Sequence, residues 1–207
     1  MTGVQTCALP ILFQQYFHRN GSGNLSTDGT SCPGSDCGYV DVRQQNLGGV
    51  NTNGIDFSAL YRMKTGYGKV DLSYSSTYVY KYEYQDYAGG PWNQNVAIFS
   101  GAGPVFRWQH NASANWSMGA FSAGVAGHYK SGYIDQDPSN RVKSYATMDL
   151  YGTWAATKQL SLTLGVRNVF DRDPPYSNQE QVFQAGYDPR YASVEGRAFY
   201  VRAKFDL

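Results

Sequence analysis

Side chains able to hold a metal or attack a substrate are few in this chain and widely spaced. His18, His110 and His128 have no second histidine, cysteine or carboxylate at ligand spacing, and a zinc site needs several such groups brought together. Polar wall or loop positions suit them better. Asp135-Gln136-Asp137 has the carboxylate alternation of a calcium loop but lacks the distal glutamate, so a solvated turn is the simpler reading. Serines are plentiful, yet no G-x-S-x-G elbow places one for attack. No catalytic residue, metal or cofactor is expected, and the chain does not read as an enzyme. Cys32 and Cys37 sit in Ser-Cys-Pro-Gly-Ser-Asp-Cys-Gly. Two thiols without a nearby histidine make a weak metal site, and a small disulfide loop in an oxidising compartment is the better reading. Closing so short a loop should contribute at or below the low end of the usual ~2–4 kcal/mol.

Rings set among amides and carboxylates point to a different chemistry, the non-covalent capture of a small molecule. Tyr87, Trp92, Tyr176, Phe183 and Tyr187, with the cation Arg190, lie in stretches rich in Gly, Asn, Asp and Pro. Such rings stack on sugars or cover a hydrophobic chelate; loops packing on one another are the alternative. No loop is notably cationic, which favours a carbohydrate or other organic ligand over an anionic chelate. A formal net charge of +1 with 16% charged residues leaves no basic field for nucleic acid.

The elements that must position these loops are strands. Leu160, Leu162, Leu164 and Val166 alternate with Ser161, Thr163, Gly165 and Arg167, and Phe199, Val201, Ala203, Phe205 and Leu207 alternate with Tyr200, Arg202, Lys204 and Asp206. Strict period-2 alternation gives one apolar and one polar face. The same pattern recurs over residues 13–19, 51–64, 68–84, 104–117, 120–134 and 144–157, which makes about eight strands joined alternately by tight turns and long loops. Within 68–84 the alternation sets Val70, Leu72, Tyr74, Tyr78, Tyr80 and Tyr82 on one face. Arg167 and Arg202 fall on the polar face and are expected to pair with Asp149 or Glu195. With 18 Tyr, 23 Gly and a mean hydropathy of −0.48, the composition suits a barrel whose every second residue meets lipid and whose interfaces carry aromatic girdles. The polar face is dominated by Ser, Thr, Gly, Asn and Gln. A closed eight-stranded barrel fills its interior with side chains, so small polar residues fit the wall of a wider, wet lumen instead.

Asn168-Val169-Phe170-Asp171-Arg172-Asp173-Pro174-Pro175-Tyr176, Gly186-Tyr187-Asp188-Pro189-Arg190-Tyr191 and Gly196-Arg197-Ala198-Phe199-Tyr200-Val201 resemble the C-terminal end of TonB-dependent outer-membrane receptors. Asn46-Leu47-Gly48-Gly49-Val50 with Gly54-Ile55-Asp56-Phe57 extends the resemblance towards Leu12. It implies an antiparallel transmembrane β-barrel fragment, part of a wall of roughly 22 strands, in the outer membrane of a Gram-negative bacterium. It also implies partners: outer-membrane lipid, a small-molecule nutrient, and the TonB energy-coupling complex acting through a plug upstream. Phe199, Val201, Phe205 and Leu207 resemble the terminal strand read by the barrel-assembly machinery, although that strand usually ends in an aromatic residue. Residues 1–11, MTGVQTCALPI, read as a translated sequencing adapter, so the natural barrel segment is expected to occupy 12–207. A passive porin-like channel and an outer-membrane barrel enzyme are the competing readings.

Overall fold

The computed structural model describes residues 16–20, 38–41, 48–183 and 186–206. The adapter-like segment, Cys32 with Cys37, and Leu207 lie outside the described residues. The chain divides into two units, Met1–Asn46 and Leu47–Leu207. In the first, β1 (Phe17–His18) pairs antiparallel with β2 (Tyr39–Val40), and His18 stacks on Tyr39 with ring centroids 4.4 Å apart.

The second unit is built on one open antiparallel sheet. Its long strands are β3 (Val50–Thr65), β4 (Gly68–Tyr84), β6 (Trp108–Met118), β7 (Phe121–Lys130), β10 (Tyr145–Ala155), β11 (Leu160–Arg167) and β12 (Ala198–Phe205). Each pairs with its neighbour in sequence, in the order β12-β11-β10-β7-β6-β4-β3, and the short β5 (Asn93–Gln94) adds to the end of β4. The hairpin β8 (Tyr133–Ile134) and β9 (Arg141–Val142) stands apart within a loop. Every strand expected from residue 51 onward is present. Several are shorter than expected; β6 starts at Trp108, and β7 ends at Lys130.

Tight turns join the strands at one end. Thr65 Oγ1 accepts the Tyr67 amide at 3.1 Å and donates to the Gly68 carbonyl at 3.0 Å, while Thr157 Oγ1 accepts the amides of Gln159 and Leu160 at 3.2 and 2.9 Å. These hydroxyl turns satisfy backbone donors locally. Gly119 has φ of +58°, the conformation a two-residue hairpin needs at its first central position. At the opposite end run three long connections, β4 to β6, β7 to β10 and β11 to β12.

Cross-strand register tests the two-faced reading, because residues directly opposite share a face. Met63, Val70, Trp116, Ala123, Gly152, Leu164 and Val201 are linked by successive pairings across the whole sheet. So are Tyr61, Leu72, Ala114, Val125, Leu150, Val166 and Phe199. The apolar sets of the separate strands therefore merge into one continuous surface. Its side chains are uncovered: Phe199, Val201 and Leu164 expose 77%, 73% and 64% of their surface. In water such a face would be untenable, whereas in hydrocarbon it is solvated. The other face is bound by short polar contacts, Ser73 to Ser113 at 2.7 Å and Thr153 to Thr163 at 2.8 Å.

Two glycines on the polar face are covered by tyrosines from the next strand. Tyr151 pairs with Gly124 and Tyr200 with Gly165, and a Cβ built on either glycine would overlap the tyrosine ring. This is aromatic cover of a strand glycine. Tyr151 donates to Asn115 Oδ1, and the Arg167 guanidinium lies 5.5 Å above the Tyr200 ring. Arg167 is thus engaged by a ring, and Asp149 accepts the Asn168 amide instead, at 2.9 Å.

One expectation about facing is corrected. The β3–β4 register shifts between Asn53 and Gly54, leaving Tyr80 without a partner on β3. Beyond this bulge the alternation along β4 reverses relative to β3. Tyr82 stands opposite Thr52, which shares the face of Asp56, so it leaves the apolar surface that Tyr74 and Tyr78 occupy. The surface left behind becomes polar, with Asn51 and Asn53 opposite Glu83 and Lys81 and a Lys81–Glu83 ion pair at 2.7 Å. The bulge therefore lies where the apolar band ends. Below it, nine residues from Ile55 to Met63 cover roughly 25–30 Å of strand length. With the usual tilt, that matches an apolar band of about 25 Å.

Candidate binding surface at the long-loop end

The buried core of the second unit lies in the loops and not in the sheet. Phe106, Tyr133 and Val142 form its apolar centre, with Ala97, Phe99 and Tyr191 packed against them. These residues come from all three long connections. Phe106 meets Tyr191 edge-on at 4.9 Å and Tyr133 at 6.0 Å, and the Tyr191 hydroxyl donates to the Tyr133 hydroxyl at 3.3 Å. Burial pushes both phenol pKa values upward.

Two buried carboxylates tie the loops together. Asp135, 2% exposed, accepts from Ser177 Oγ at 2.8 Å and the Gln136 amide at 2.9 Å on one oxygen. Its other oxygen accepts from Asn140 Nδ2 at 2.8 Å and the Asn178 amide at 2.6 Å. Neutral donors satisfy it from both its own loop and the β11–β12 connection, which is what a buried carboxylate requires. No cation site remains in Asp135-Gln136-Asp137, because both Asp135 oxygens face protein donors. Asp188, fully buried, holds Arg190 in a fork: Nε to Oδ1 at 2.8 Å and a terminal nitrogen to Oδ2 at 2.6 Å. The remaining terminal nitrogen of Arg190 donates to the Ser100 and Gly101 carbonyls at 3.2 and 2.9 Å. The guanidinium also lies 5.2 Å over the Phe99 ring. Its hydrogen bonding to Asp188 raises the Arg190 pKa further.

The Asn168–Tyr176 motif proves to be a turn. Asn168 and Asp171 both have positive φ, at 48° and 53°, a conformation their short polar side chains tolerate. Asn168 closes the turn by accepting the Arg172 amide at Oδ1 and donating from Nδ2 to the Arg172 carbonyl, each at 2.9 Å. Asp171 accepts the Arg197 amide at 2.7 Å, fastening the far end of the same connection. The motif thus forms the base from which the aromatic loop rises.

Sequence reading placed six candidate ligand residues in long loops, and all six stand at this end. Tyr87 and Trp92 belong to the β4–β6 connection; Tyr176, Phe183, Tyr187 and Arg190 belong to that between β11 and β12. Phe183, Tyr176 and Trp92 are 97%, 65% and 49% exposed. Trp92 rests beside Gly49, where an added Cβ would lie 3.1 Å from the indole. The Tyr187 carbonyl accepts from Gln179 Nε2 at 3.0 Å, and its side chain is partly covered. Arg190 has the loop-bridging contacts described above. Asp135, Ser177 and Asp188 were not singled out as loop ties. Asp135 and Ser177 lie 42 residues apart, so no local spacing encodes their contact, whereas Asp188 stands two residues from its partner Arg190 in the same loop. Of the C-terminal set, Phe199, Val201 and Phe205 lie exposed on the apolar face.

Among the histidines, His110 sits on the apolar face, its Nδ1 3.0 Å from the Tyr74 hydroxyl and its ring stacked 5.3 Å from Trp108. This corner, with Tyr78 and Tyr129, has the character of an interfacial aromatic girdle. His128 is on the polar face. No cluster of three or more potential metal-ligating side chains occurs among the described residues.

The family model for the TonB-dependent receptor-like β-barrel matches residues 15–169. No curated protein matches the chain by sequence. Among solved structures, a variant of the ferric enterobactin receptor of Pseudomonas aeruginosa is similar at 19% identity and a TM-score of 0.50. The alignment covers 74% of this chain and 22% of that receptor, so the chain spans about a fifth of its length. The siderophore receptor PiuA of Acinetobacter baumannii is 17% identical over 76% of this chain and 22% of its own, with a TM-score of 0.47. The matched segment leads to one assignment: the chain belongs to the TonB-dependent receptor-like β-barrel family.

Proposed function

We propose that this chain forms part of the barrel wall and outer loops of a TonB-dependent importer, a ligand-gated transporter in the outer membrane of a Gram-negative bacterium. The observation that carries the reading is a sheet with one lipid-suited face, one wet face and three long loops fused at one end. In this reading the apolar face contacts outer-membrane lipid, and Phe199, Val201, Phe205 and Leu207 serve the barrel-assembly machinery. Energy coupling through TonB belongs to parts of the protein outside this chain. The cargo is a small organic nutrient, a carbohydrate or a siderophore-like chelate, held by Tyr87, Trp92, Tyr176, Phe183 and Tyr187. Arg190 would act there mainly by fixing the loops that carry the rings. No step of bond-breaking chemistry is assigned to the chain.

Labelled nutrient should accumulate in cells expressing the receptor that carries this sequence only when TonB is intact. Equal accumulation in TonB-deficient cells would replace the importer with a passive channel.

A further inference from the structure

Beneath the fused loops, the polar face holds a cavity of about 330 Å³ that none of the loop candidates lines. Two consecutive rungs across β6, β7 and β10 form its floor. Gln109, Lys130 and Tyr145 make one rung, and Asn111, His128 and Thr147 the other. The loop body roofs it through Tyr191, whose carbonyl accepts from Lys130 Nζ at 3.2 Å. His128 Nδ1 is 2.7 Å from Asn111 Oδ1; an amide oxygen there takes the Nδ1 proton and leaves Nε2 for a second partner.

The lining is unusual in its charge. It contains an ammonium, an imidazole, two amides and four hydroxyl-bearing residues, of which Tyr129 belongs to the opposite face of its strand, with no aspartate or glutamate. Asp149, the next inward residue on β10, is turned to the Asn168 amide. A half-enclosed site with one cation and no carboxylate favours an oxyanion, and neutral amides and hydroxyls suit a polyhydroxylated body. Its volume would hold on the order of ten waters, more than a bare oxyanion needs and enough for one sugar ring.

We infer that the cavity is a subsite for an acidic monosaccharide unit, with Lys130 taking the oxyanion, His128 Nε2 accepting from a sugar hydroxyl, and Gln109, Asn111, Tyr145 and Thr147 meeting the other hydroxyls. The inference rests on reading the polar face as the lumen of an importer, and it narrows the cargo from nutrient to acidic sugar. The absence of cationic loops is compatible with it, because the cation lies below them.

The test uses the full chain in detergent micelles, labelled with ¹³C-histidine and titrated with glucuronate, glucose 6-phosphate and glucose. Saturable movement of the His128 ring signal is expected with one or both acidic sugars, and His110, on the opposite face, should not move. Preference for glucuronate or for the phosphate ester tells which oxyanion the site takes. Lys130→Met should weaken acidic-sugar binding about tenfold or more, and Lys130→Arg should retain most of it. Glucose binding as tightly as the acidic sugars in the unsubstituted chain overturns the inference, with no variant needed. So does the absence of saturable binding, or Lys130→Met binding as well as the parent. Because the assay reads binding without transport, its failure leaves the TonB-dependence experiment to judge the importer reading separately.

Discussion

Asp135 shows how much a single side chain can hold in this chain. Replacing it with alanine leaves Ser177, Asn140 and two backbone amides without their acceptor inside the loop body. An orphaned buried donor costs about 1–3 kcal/mol, so Asp135→Ala should release the β11–β12 connection. Limited proteolysis should then cut near Asn178 at least tenfold faster than in the parent, and unchanged protection would show that the tie is dispensable. The phenols of Tyr133 and Tyr191 supply a pH test. Their pKa values are raised in the folded state by burial. Below the ordinary tyrosine value of about 10 this costs nothing. Above it, the unfolded phenols ionise while the buried pair must stay neutral, so stability declines as pH rises. Loop protection measured by hydrogen exchange should therefore fall from about pH 10 upward, and Tyr133→Phe should flatten the fall. A decline of equal steepness in Tyr133→Phe would remove that phenol from the effect.

At the level of elements, alternation is what the sequence made legible. The period-2 runs beginning at 51, 68, 120, 144 and 160 became long strands, and cross-strand pairs such as Leu164 with Val201 place the apolar sets on one surface. What escaped was whatever depends on register or on distance along the chain. Period 2 gives no sign of the bulge beside Gly54, so Tyr82 was assigned to the wrong face. The Asp135–Ser177 contact joins residues 42 apart, and no local spacing encodes it. The ligand candidates were correctly assigned to long loops, whereas the packing that fuses those loops was invisible. Phe205→Asp in the whole receptor would place a carboxylate on the apolar face of β12, opposite Leu160. Its cost should reach at most a few kcal/mol, depending on depth. Surface abundance should fall, and abundance equal to the parent would argue that this face does not meet lipid.

For the whole molecule, the proposed function makes the loop body and the two-faced sheet one device, in which the wall would solvate in lipid and the loops would present rings to cargo. Trp92→Ala and Tyr187→Ala, introduced together in the whole receptor, should lower uptake about tenfold or more without changing abundance. Two stacking rings worth about 1 kcal/mol each set that scale. Uptake equal to the parent would remove these residues from the site. The central claim, that the surface linking Met63 to Val201 faces lipid, can be measured directly along β11. Spin labels placed singly at residues 160–167 in vesicle-reconstituted protein report accessibility to oxygen, which partitions into hydrocarbon, and to a water-soluble nickel chelate. Oxygen accessibility should peak at 160, 162, 164 and 166, and nickel accessibility at 161, 163, 165 and 167, in strict alternation. The opposite phase, or no alternation, would contradict the account.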